Sequence, residues 1–409
     1  MTWRKFVLPK CALTHSTFVI TERGHIYVWG RNDDGQLGNG SFVNVETPQR
    51  LLEQENLTWD DLMDLSCGNY HTGLLYKNGT LKMSGFNAYE QLGIDSRIDK
   101  VSSFTEVPFF SQNKISIVQL VCGVFHTAAV TADGSVYTWG HNRHNQLGRP
   151  GPVSPGQVDI PAKVVRAYSG AHFLFAETEN GDFYAWGMNH DNLLGLKDTK
   201  KKKAGERPQI HKKLSQMNKE TSPYKLKELV CGGYHYFAVT DAVIYACGWN
   251  GQGQLGIGVQ NERISRLTPV NSLEAKDIKT LRAGSYYSIA VTKAGKLLGA
   301  GSSKEYELGE KSAEPIWYFQ PLNHFSHECV SLVCCYSHAV AVTSAGELYQ
   351  WGILSSAEDL KCPVSLPDKI ISLFGMGNVR PPWSAVRLIW IAKMKEPQST
   401  FASLPQEIV

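Results

Sequence analysis

The sequence predicts an all-β fold, a seven-bladed β-propeller, and three observations carry that prediction. A segment with two glycines recurs along the 409-residue chain at intervals of roughly 50 residues, enough for about four short strands with turns. Each copy follows a second motif, in which β-branched and aromatic residues lead into a glycine turn. The composition agrees, because 37 glycines and 11% aromatic residues indicate short strands and tight turns, while 19% charged residues are too few for a disordered chain.

The two-glycine segment is clearest in VYTWGHNRHNQLG, from Val136 to Gly148. In six copies a second glycine follows the first after eight residues and is preceded by leucine, a spacing that chance does not produce six times. We expect a strand, a bend at the first glycine, and a loop that returns the leucine to the space between blades. The first glycines of the seven copies are Gly30, Gly85, Gly140, Gly187, Gly248, Gly301 and Gly352.

The preceding motif is clearest in CGVFHTAAVTADG, from Cys122 to Gly134. Its run HTAAVT and the following SVYTW read as two strands joined by the turn ADG, where glycine accepts positive φ cheaply. One such sheet cannot cover its own faces, whereas seven sheets around an axis cover one another. Related segments begin at Ala12, Cys67, Ser169, Cys231, Ala283 and Cys334.

The end of the repeat array predicts how the ring closes. After Gly352 the pattern fails, and Leu360 stands where a second glycine would fall. Two apolar segments, KIISLFGMG from Lys369 and AVRLIWIAK from Ala385, read as final strands. We expect strands from both termini to share a blade. The predicted domains are a propeller over 1–393, with a basic insert at about 197–227, and a flexible C-terminal tail over 394–409.

The paired signature CGxxHTxAxTxxGxVYxWG and NxxGQLG resembles the regulator of chromosome condensation family and covers nearly the whole chain. The resemblance implies a seven-bladed propeller of that type. The family's founding member is a nucleotide exchange factor for the GTPase Ran, so the resemblance also implies a small GTPase of the Ran or Rab type as partner.

The founding exchange mechanism is not predicted here. It is understood to use an acidic residue two positions before one repeat histidine, and a protruding wedge in one blade. The third repeat, the expected wedge host, keeps ordinary spacing to Gly148. The seven residues at the position of the acid are all non-acidic: Thr14, Asn69, Val124, Ala171, Gly233, Ser285 and Tyr336.

Several recurring side chains indicate packing. Phe173 and Tyr287 stand in two repeats where four others have histidine, which argues for packing and a local hydrogen bond over catalysis. Ser169 and Ala283 likewise replace a recurring cysteine, so that position selects small size, and we expect free thiols and no metal site. The histidines are His71, His126, His235 and His338; the cysteines are Cys67, Cys122, Cys231 and Cys334; the blade-packing tryptophans are Trp29, Trp139, Trp186 and Trp351.

Two sets of residues are candidates for partner binding. The basic insert reads either as a solvated loop, or as a nuclear localisation signal or a docking surface for an acidic partner, anionic lipid or nucleic acid. The loops after the first glycines of the third and fourth repeats are the other set, since propeller loops form binding faces. The candidates are Lys200, Lys201, Lys202, Lys203, Lys212 and Lys213 in the insert, and His141, Arg143, His144, His190 and Asp191 in the loops.

The sequence contains no enzyme constellation: no phosphate-cradling glycine loop before a helix, no G-x-S-x-G, no H-E-x-x-H and no spaced Cys/His quartet. We therefore predict a protein–protein interaction module without a cofactor, which binds or regulates a small GTPase and could extend to guanine nucleotide exchange. The alternative is an adaptor or substrate-recognition subunit, for example of a ubiquitin ligase. The fragment LPQEI from Leu404 resembles the opening of an F-box.

The remaining expectations concern the environment. A net charge of +3 gives no reason to expect a nucleic acid partner. No apolar run approaches the roughly 18 residues of a membrane helix, and the first ten residues lack the apolar core of a signal peptide. We expect an intracellular monomer, cytoplasmic or nuclear.

Overall fold

The fold is seven antiparallel sheets, each built as a meander of consecutive strands. In chain order we call them blades 1 to 7. Blade 1 has three strands among the described residues and each other blade has four. The computed structural model describes residues 13–20, 26–51, 61–190, 193–196, 207–219, 224–345 and 347–353, and the backbone of 386–388.

The strands of the first three blades follow the repeat boundaries. Each blade runs from one strand to the next through a short turn. Blade 1 contains β1 (Ser16–Ile20), β2 (Ile26–Gly30) and β3 (Val45–Arg50); blade 2 contains β4 (Leu62–Cys67), β5 (His71–Tyr76), β6 (Leu81–Phe86) and β7 (Lys100–Glu106); blade 3 contains β8 (Ile117–Cys122), β9 (His126–Thr131), β10 (Val136–Gly140) and β11 (Gly156–Val158).

The other four blades repeat the same order. Blade 4 contains β12 (Val164–Ser169), β13 (Phe173–Thr178), β14 (Phe183–Gly187) and β15 (Gln209–Ile210); blade 5 contains β16 (Leu226–Cys231), β17 (His235–Thr240), β18 (Ile244–Trp249) and β19 (Arg263–Pro269); blade 6 contains β20 (Ile278–Ala283), β21 (Tyr287–Thr292), β22 (Leu297–Ser303) and β23 (Ser312–Pro321); blade 7 contains β24 (Cys329–Cys334), β25 (His338–Thr343), β26 (Leu348–Gly352) and β27 (Val386–Leu388).

Helix is confined to the connections in the described part of the chain. α1 (Pro108–Gln112) links blades 2 and 3, α2 (Lys212–Asn218) links blades 4 and 5, and a 3-10 turn over Ala275–Asp277 precedes β20. No helix of the described residues is long and apolar enough to cross a membrane. The predicted all-β, seven-bladed propeller is therefore confirmed.

The core lies between neighbouring blades. Leu92, from the loop of blade 2, packs in one buried cluster with Trp139 of blade 3. Leu255 of blade 5 packs in the same way with Ala300 of blade 6. The leucines before the second glycines are all at most 2% exposed, so the loop returns each leucine to an interblade space as predicted: Leu37, Leu92, Leu147, Leu194, Leu255 and Leu308.

Blades 1 and 7 close the ring through side chains. The indole of Trp29 in β2 donates to Oε1 of Gln350 in β26 at 2.6 Å. The Nε2 of His338 in β25 lies 2.9 Å from the hydroxyl of Thr17 in β1. The prediction that strands from both termini share a blade named no particular strands, and it extends to terminal residues outside the described ones, as does the tail 394–409.

The first strands of blades 2 to 7 surround the axis of the ring and line a channel of about 300 Å³. Polar side chains join neighbouring strands along its wall. The carboxylate of Asp64 accepts from the backbone N–H of Leu120 at 3.0 Å. Gln119 accepts from the N–H of Ala167 at 2.8 Å and donates to its carbonyl at 2.9 Å. These bonds tie the inner strands of blades 2, 3 and 4 together.

Candidate protein-docking face

The first glycine of each repeat sets the geometry of one face of the ring. All seven have φ between +92° and +118°, in the left-handed region that glycine adopts without strain. A Cβ on Gly140 would lie 2.6 Å from the carbonyl oxygen of Phe125. The bend lets the next residue, His141, donate its N–H to that same carbonyl at 2.8 Å. The glycine therefore fixes the position of the residue that precedes each repeat histidine.

Those preceding residues carry rings in six repeats, and with Tyr336 of blade 7 they form a surface we call the collar. Tyr70 and Phe125 stack with centroids 4.6 Å apart and planes at 6°. Successive tyrosines on blades 5, 6 and 7 have centroids 5.8 and 6.0 Å apart. Apart from the buried His15, the collar rings are half-buried. The collar consists of His15, Tyr70, Phe125, His172, Tyr234, Tyr286 and Tyr336.

Loop side chains complete the collar where neighbouring rings are too far apart to touch. His141 lies 6.2 Å from Phe125, and His144 lies 4.9 Å from His172, between centroids. On the other side the guanidinium of Arg31 lies 4.8 Å from the centroid of Tyr70. Aromatic and cationic groups thus run around the whole face.

The centre of this face is closed. Leu13 is 2% exposed and packs with Val124 of blade 3 and Ala171 of blade 4. Beside it, the N–H of Val124 donates to the carbonyl of Ala171 at 3.1 Å, and the N–H of Tyr336 donates to the carbonyl of Thr14 at 3.0 Å. A partner that docks here meets the collar and the loops around it, because the channel behind them is plugged.

Tyr89, in the loop after β6, is an exposed ring on this face. It is 42% exposed and lies 4.6 Å from His141 and 5.2 Å from Phe125, between centroids. On blade 1, Arg31 forms an ion pair with Asp33. Its guanidinium donates to both carboxylate oxygens, at 2.6 and 2.8 Å. The face therefore offers exposed aromatic area together with fixed charges.

The four repeat histidines lie below the collar and join neighbouring blades. The hydroxyl of Thr127 donates to the carbonyl of Gln91 at 2.7 Å and so accepts from Nε2 of His71 at 2.9 Å. His235 makes the same contact with Ser288 of the next blade at 2.8 Å. Between blades 3 and 4 the corresponding contact joins Nε2 of His126 and the hydroxyl of Ser169, at 3.3 Å.

The repeat histidines are neutral. Burial lowers the pKa of His71, His235 and His338 to about 3. For His126 burial, then the neighbouring histidines, lower the pKa well below its usual value. A buried imidazole without a carboxylate beside it loses hydration when charged, which disfavours the proton.

The predicted binding residues fall at opposite ends of the blades. His141, Arg143, His144 and His190 lie on the collar face, which brings the two loops together. Lys212 is the first residue of α2. The last residue of that helix, Asn218, donates to Glu177 at 2.9 Å, at the end of blade 4 away from the collar. Lys213 lies on the same helix. The remaining candidates, Lys200, Lys201, Lys202, Lys203 and Asp191, lie outside the described residues.

The seven described cysteines form no disulfide with one another, and six are buried. Burial raises the pKa of Cys247, Cys329 and Cys334 to about 12, so these thiols stay protonated and unreactive. No group of three His, Cys, Asp or Glu side chains in the described part of the chain could hold a metal ion.

Sequence reasoning missed the collar, although its signal was available. The residue before each repeat histidine carries a ring in six of the seven repeats, at the position of Tyr70, while the motif drew attention to the buried neighbour His71. A position that repeats in type and is only half-buried is a candidate for surface recognition, whereas a fully buried one packs.

The repeat and its geometry define a class of protein, the closed seven-bladed propellers whose blades are linked by a glycine bend and an interblade histidine. The chain carries regulator of chromosome condensation (RCC1) repeats. The profile of that repeat matches residues 23–75, 133–176 and 241–291, and a second profile of the repeat matches 117–146.

Known proteins of this kind resemble the chain over most of its length. The ultraviolet-B receptor UVR8 of Arabidopsis thaliana is 29% identical over 85% of the chain and 65% of its own length. The human E3 ubiquitin-protein ligase HERC2 is 29% identical over 70% of the chain but 6% of its own length. The chain thus spans less than two thirds of either relative. The crystal structure of Prp20p from Saccharomyces cerevisiae, described with its binding properties to Gsp1p and histones, has a TM-score of 0.68 and 21% identity, covering 81% of this chain and 82% of Prp20p.

Proposed function

We propose that this propeller is a protein-docking module, that the collar and the loops around it are its binding face, and that its partner is a small GTPase of the Ran or Rab type. The observation that supports the face is the exposed aromatic area at the collar. Aromatic residues and arginine are enriched where proteins bind each other, because they combine a large apolar surface with a polar edge.

Three features favour this face over the opposite one as the docking site. The collar is held by repeated backbone bonds from the glycine bends, so its rings are pre-ordered. Tyr89 adds an exposed ring beside it, at 42% exposure. Leu13 and the backbone bonds close the centre, which leaves a continuous surface for a partner.

The GTPase assignment rests on the similarity to Prp20p, whose structure is described with its binding properties to Gsp1p. Nucleotide exchange would need another route than the acidic residue of the founding member. Here the corresponding positions include Asn69, 6% exposed with an unpaired Oδ1, and the apolar Val124 and Ala171. We therefore propose binding as the primary activity and expect any nucleotide release to be slow.

The test uses purified GTPases of the Ran and Rab families in the GDP-bound and nucleotide-free states. Binding is measured by biolayer interferometry, and nucleotide release by the fluorescence of labelled GDP. Tyr89→Ala should weaken binding at least about tenfold, as expected for an exposed aromatic anchor. The matched control is Tyr318→Ala, since Tyr318 is 58% exposed on the outer strand β23 and should leave binding unchanged.

The results separate the face from the partner. Equal loss with Tyr89→Ala and Tyr318→Ala would contradict the face. If no GTPase of the panel binds while another protein depends on Tyr89, the docking face stands and the GTPase assignment is wrong. That result would favour an adaptor role, for which the similarity to part of the E3 ligase HERC2 is the supporting observation.

A further inference from the structure

Four imidazoles from two blades meet on the collar face. His144 lies at their centre, with its centroid 6.4 Å from His141, 4.9 Å from His172 and 5.9 Å from His190. Arg143 is exposed beside them. We call these five residues the imidazole cluster. Their rings come from the loop after β10, the segment before β13 and the loop after β14.

The surroundings of the cluster are short of negative charge. Tyr89 and Tyr234 flank it, with centroids 4.6 Å from His141 and 6.2 Å from His172. The loop after β10, which supplies His141, Arg143 and His144, contains no Asp or Glu. Arg149 faces inward, where it donates to the carbonyls of Pro152 at 2.8 Å and Thr138 at 2.7 Å. Arg143 forms no ion pair with any described residue, in contrast to Arg31 on blade 1.

The pKa values reflect the same imbalance. Burial first, then His144 and Arg143, lower the pKa of His141. Burial first, then His190 and Arg143, lower that of His144. Positive neighbours therefore resist protonation of the cluster, and a carboxylate brought by a partner would reverse that effect.

The hydrogen bonds determine which imidazoles can accept a proton. Oε1 of Gln146 accepts the backbone N–H of His144 at 2.8 Å. The side-chain amide nitrogen of Gln146 therefore faces Nδ1 of His141 at 3.0 Å. That amide nitrogen is a donor, so His141 holds its proton on Nε2, and a second proton on Nδ1 would face another donor. Burial lowers the pKa of His172 to about 4, which leaves His144 as the imidazole that takes up a proton when a carboxylate binds.

We propose that the imidazole cluster binds a carboxylate-bearing loop of the partner protein, and that this binding strengthens as the pH falls from about 7.5 to 5.5. The proposal rests on the collar being the docking face. Side-chain carboxylates remain ionised over this range while imidazoles gain charge, so each proton taken up adds an attraction.

A protein carboxylate fits the cluster better than a phosphate polymer or a membrane. Arg143 is the one permanent cation in the cluster, whereas nucleic-acid sites neutralise several phosphates and anionic membranes attract groups of four to eight basic residues. One guanidinium with neighbouring imidazoles matches one or two carboxylates in a defined position.

The experiment uses the full chain and a fluorescein-labelled peptide in which aspartates surround a tryptophan, with the asparagine version of the peptide as control. Fluorescence anisotropy at pH 7.5 and 5.5 gives the dissociation constants. We expect at least about fivefold tighter binding of the aspartate peptide at pH 5.5, and no such change for the asparagine peptide. Resonances of ¹³C-labelled histidine should show the pKa of His144 rising when the peptide is added.

Variants locate the effect. His144→Gln should abolish the pH dependence, and Arg143→Gln should weaken binding at both pH values. Lys276→Gln with Lys279→Gln, exposed at the end of blade 6 away from the collar, is the matched control for general charge and should change neither. Unchanged melting temperatures verify the fold, since Arg143 is exposed and His144 is half-buried in the loop after β10.

Any one of three results would overturn the proposal. These are binding of the aspartate peptide that does not depend on pH, equal binding of the asparagine peptide, or an unchanged pKa of His144 at millimolar peptide. Tighter cluster-dependent binding of oligouridylate, or of vesicles containing phosphatidylserine, would assign the cluster to a phosphate ligand and contradict it. If the peptide fails while Tyr89→Ala still loses its partner, the docking face survives and the carboxylate specificity does not.

Discussion

The collar end of the blades and the opposite, turn end are made from the same repeat, yet they differ in how closely the repeat is kept. At the collar end every blade presents a glycine bend with φ above +90°. At the turn end, a Cβ added to Gly79 would meet no atom within 4 Å. The connections between blades also differ there, since one contains the short helix α1 and another contains α2 after the basic insert. Positions that contact a neighbouring blade must repeat, because every blade packs against a blade of the same geometry. Positions that face solvent are free to diverge.

The glycine bend provides the sharpest test of this difference. Gly140→Ala should destabilise the protein by at least about 2 kcal/mol, because the new Cβ would meet the carbonyl of Phe125 at 2.6 Å. Gly79→Ala is the matched control, since its φ is also positive but its surroundings are open. Chemical denaturation measures both. Equal losses would mean that φ alone matters and that the two ends are not different.

The interblade bond of the repeat histidine gives the next effect. Thr127→Val removes the acceptor of His71 and the donor to Gln91, and should cost about 1–3 kcal/mol in the free energy of unfolding. Thr17→Val removes the corresponding bond to His338 at the junction of blades 1 and 7. A similar loss in both would show that the junction is as strong as an internal interface. The exposed Thr105→Val is the control and should stay within about 0.5 kcal/mol.

The buried histidines predict a pH dependence of stability. The pKa of His71 is about 3 in the folded chain, against about 6.5 in an unfolded one, so the unfolded state binds more protons between these values. Stability is therefore complete above about pH 6.5 and falls as the pH decreases below it.

Blade 4 has Phe173 at the position that His71 occupies in blade 2. Replacing His71 with phenylalanine should therefore be tolerated and should reduce the dependence of stability on pH. We expect the slope of unfolding free energy against pH, measured between about 5.5 and 4, to decrease by about 1.4 kcal/mol per pH unit. Lys212→Gln on α2 changes no group that titrates in this pH range and should leave the slope as it is. An unchanged slope in His71→Phe would show that this imidazole is already charged in the folded protein.

The smallest effect on stability is expected from the basic insert. Replacing Lys200, Lys201, Lys202 and Lys203 with serine should leave the melting temperature unchanged, because four successive lysines are not expected in a protein core. If the insert steers an acidic partner, the variant should slow association and flatten its salt dependence, since steering charges act on the on-rate. Surface plasmon resonance at low and physiological salt measures this. Unchanged kinetics would leave the lysines as a solvated loop.

Much of the architecture follows from residues that repeat along the chain. The spacing of Gly140 and Gly148 predicted a bend and a returning loop, and the structure shows both. The replacement of histidine by Phe173 and Tyr287 predicted a packed position, and all of these side chains are at most 2% exposed. Such inferences succeed because each interblade contact recurs and leaves its mark on the sequence several times.

The surface was harder to predict. The lysine-rich insert drew attention by charge, while the aromatic residues before the repeat histidines passed as part of a buried motif. Whether a ring such as Tyr286 lies in the core or at the surface depends on the glycine bend of its own blade and on the neighbouring blades, and neither can be read from a single position.

By itself the sequence determined the class of fold, the number of blades and the interblade role of the glycines and leucines, because these depend on local conformation and on contacts that repeat with a fixed period. Only the tertiary structure decided that His141, His144, His172 and His190 meet on one face, that Leu13 closes the channel, and that α2 lies at the other end. These facts depend on how the ring brings distant segments together, and a single sequence does not encode such distances in any local pattern.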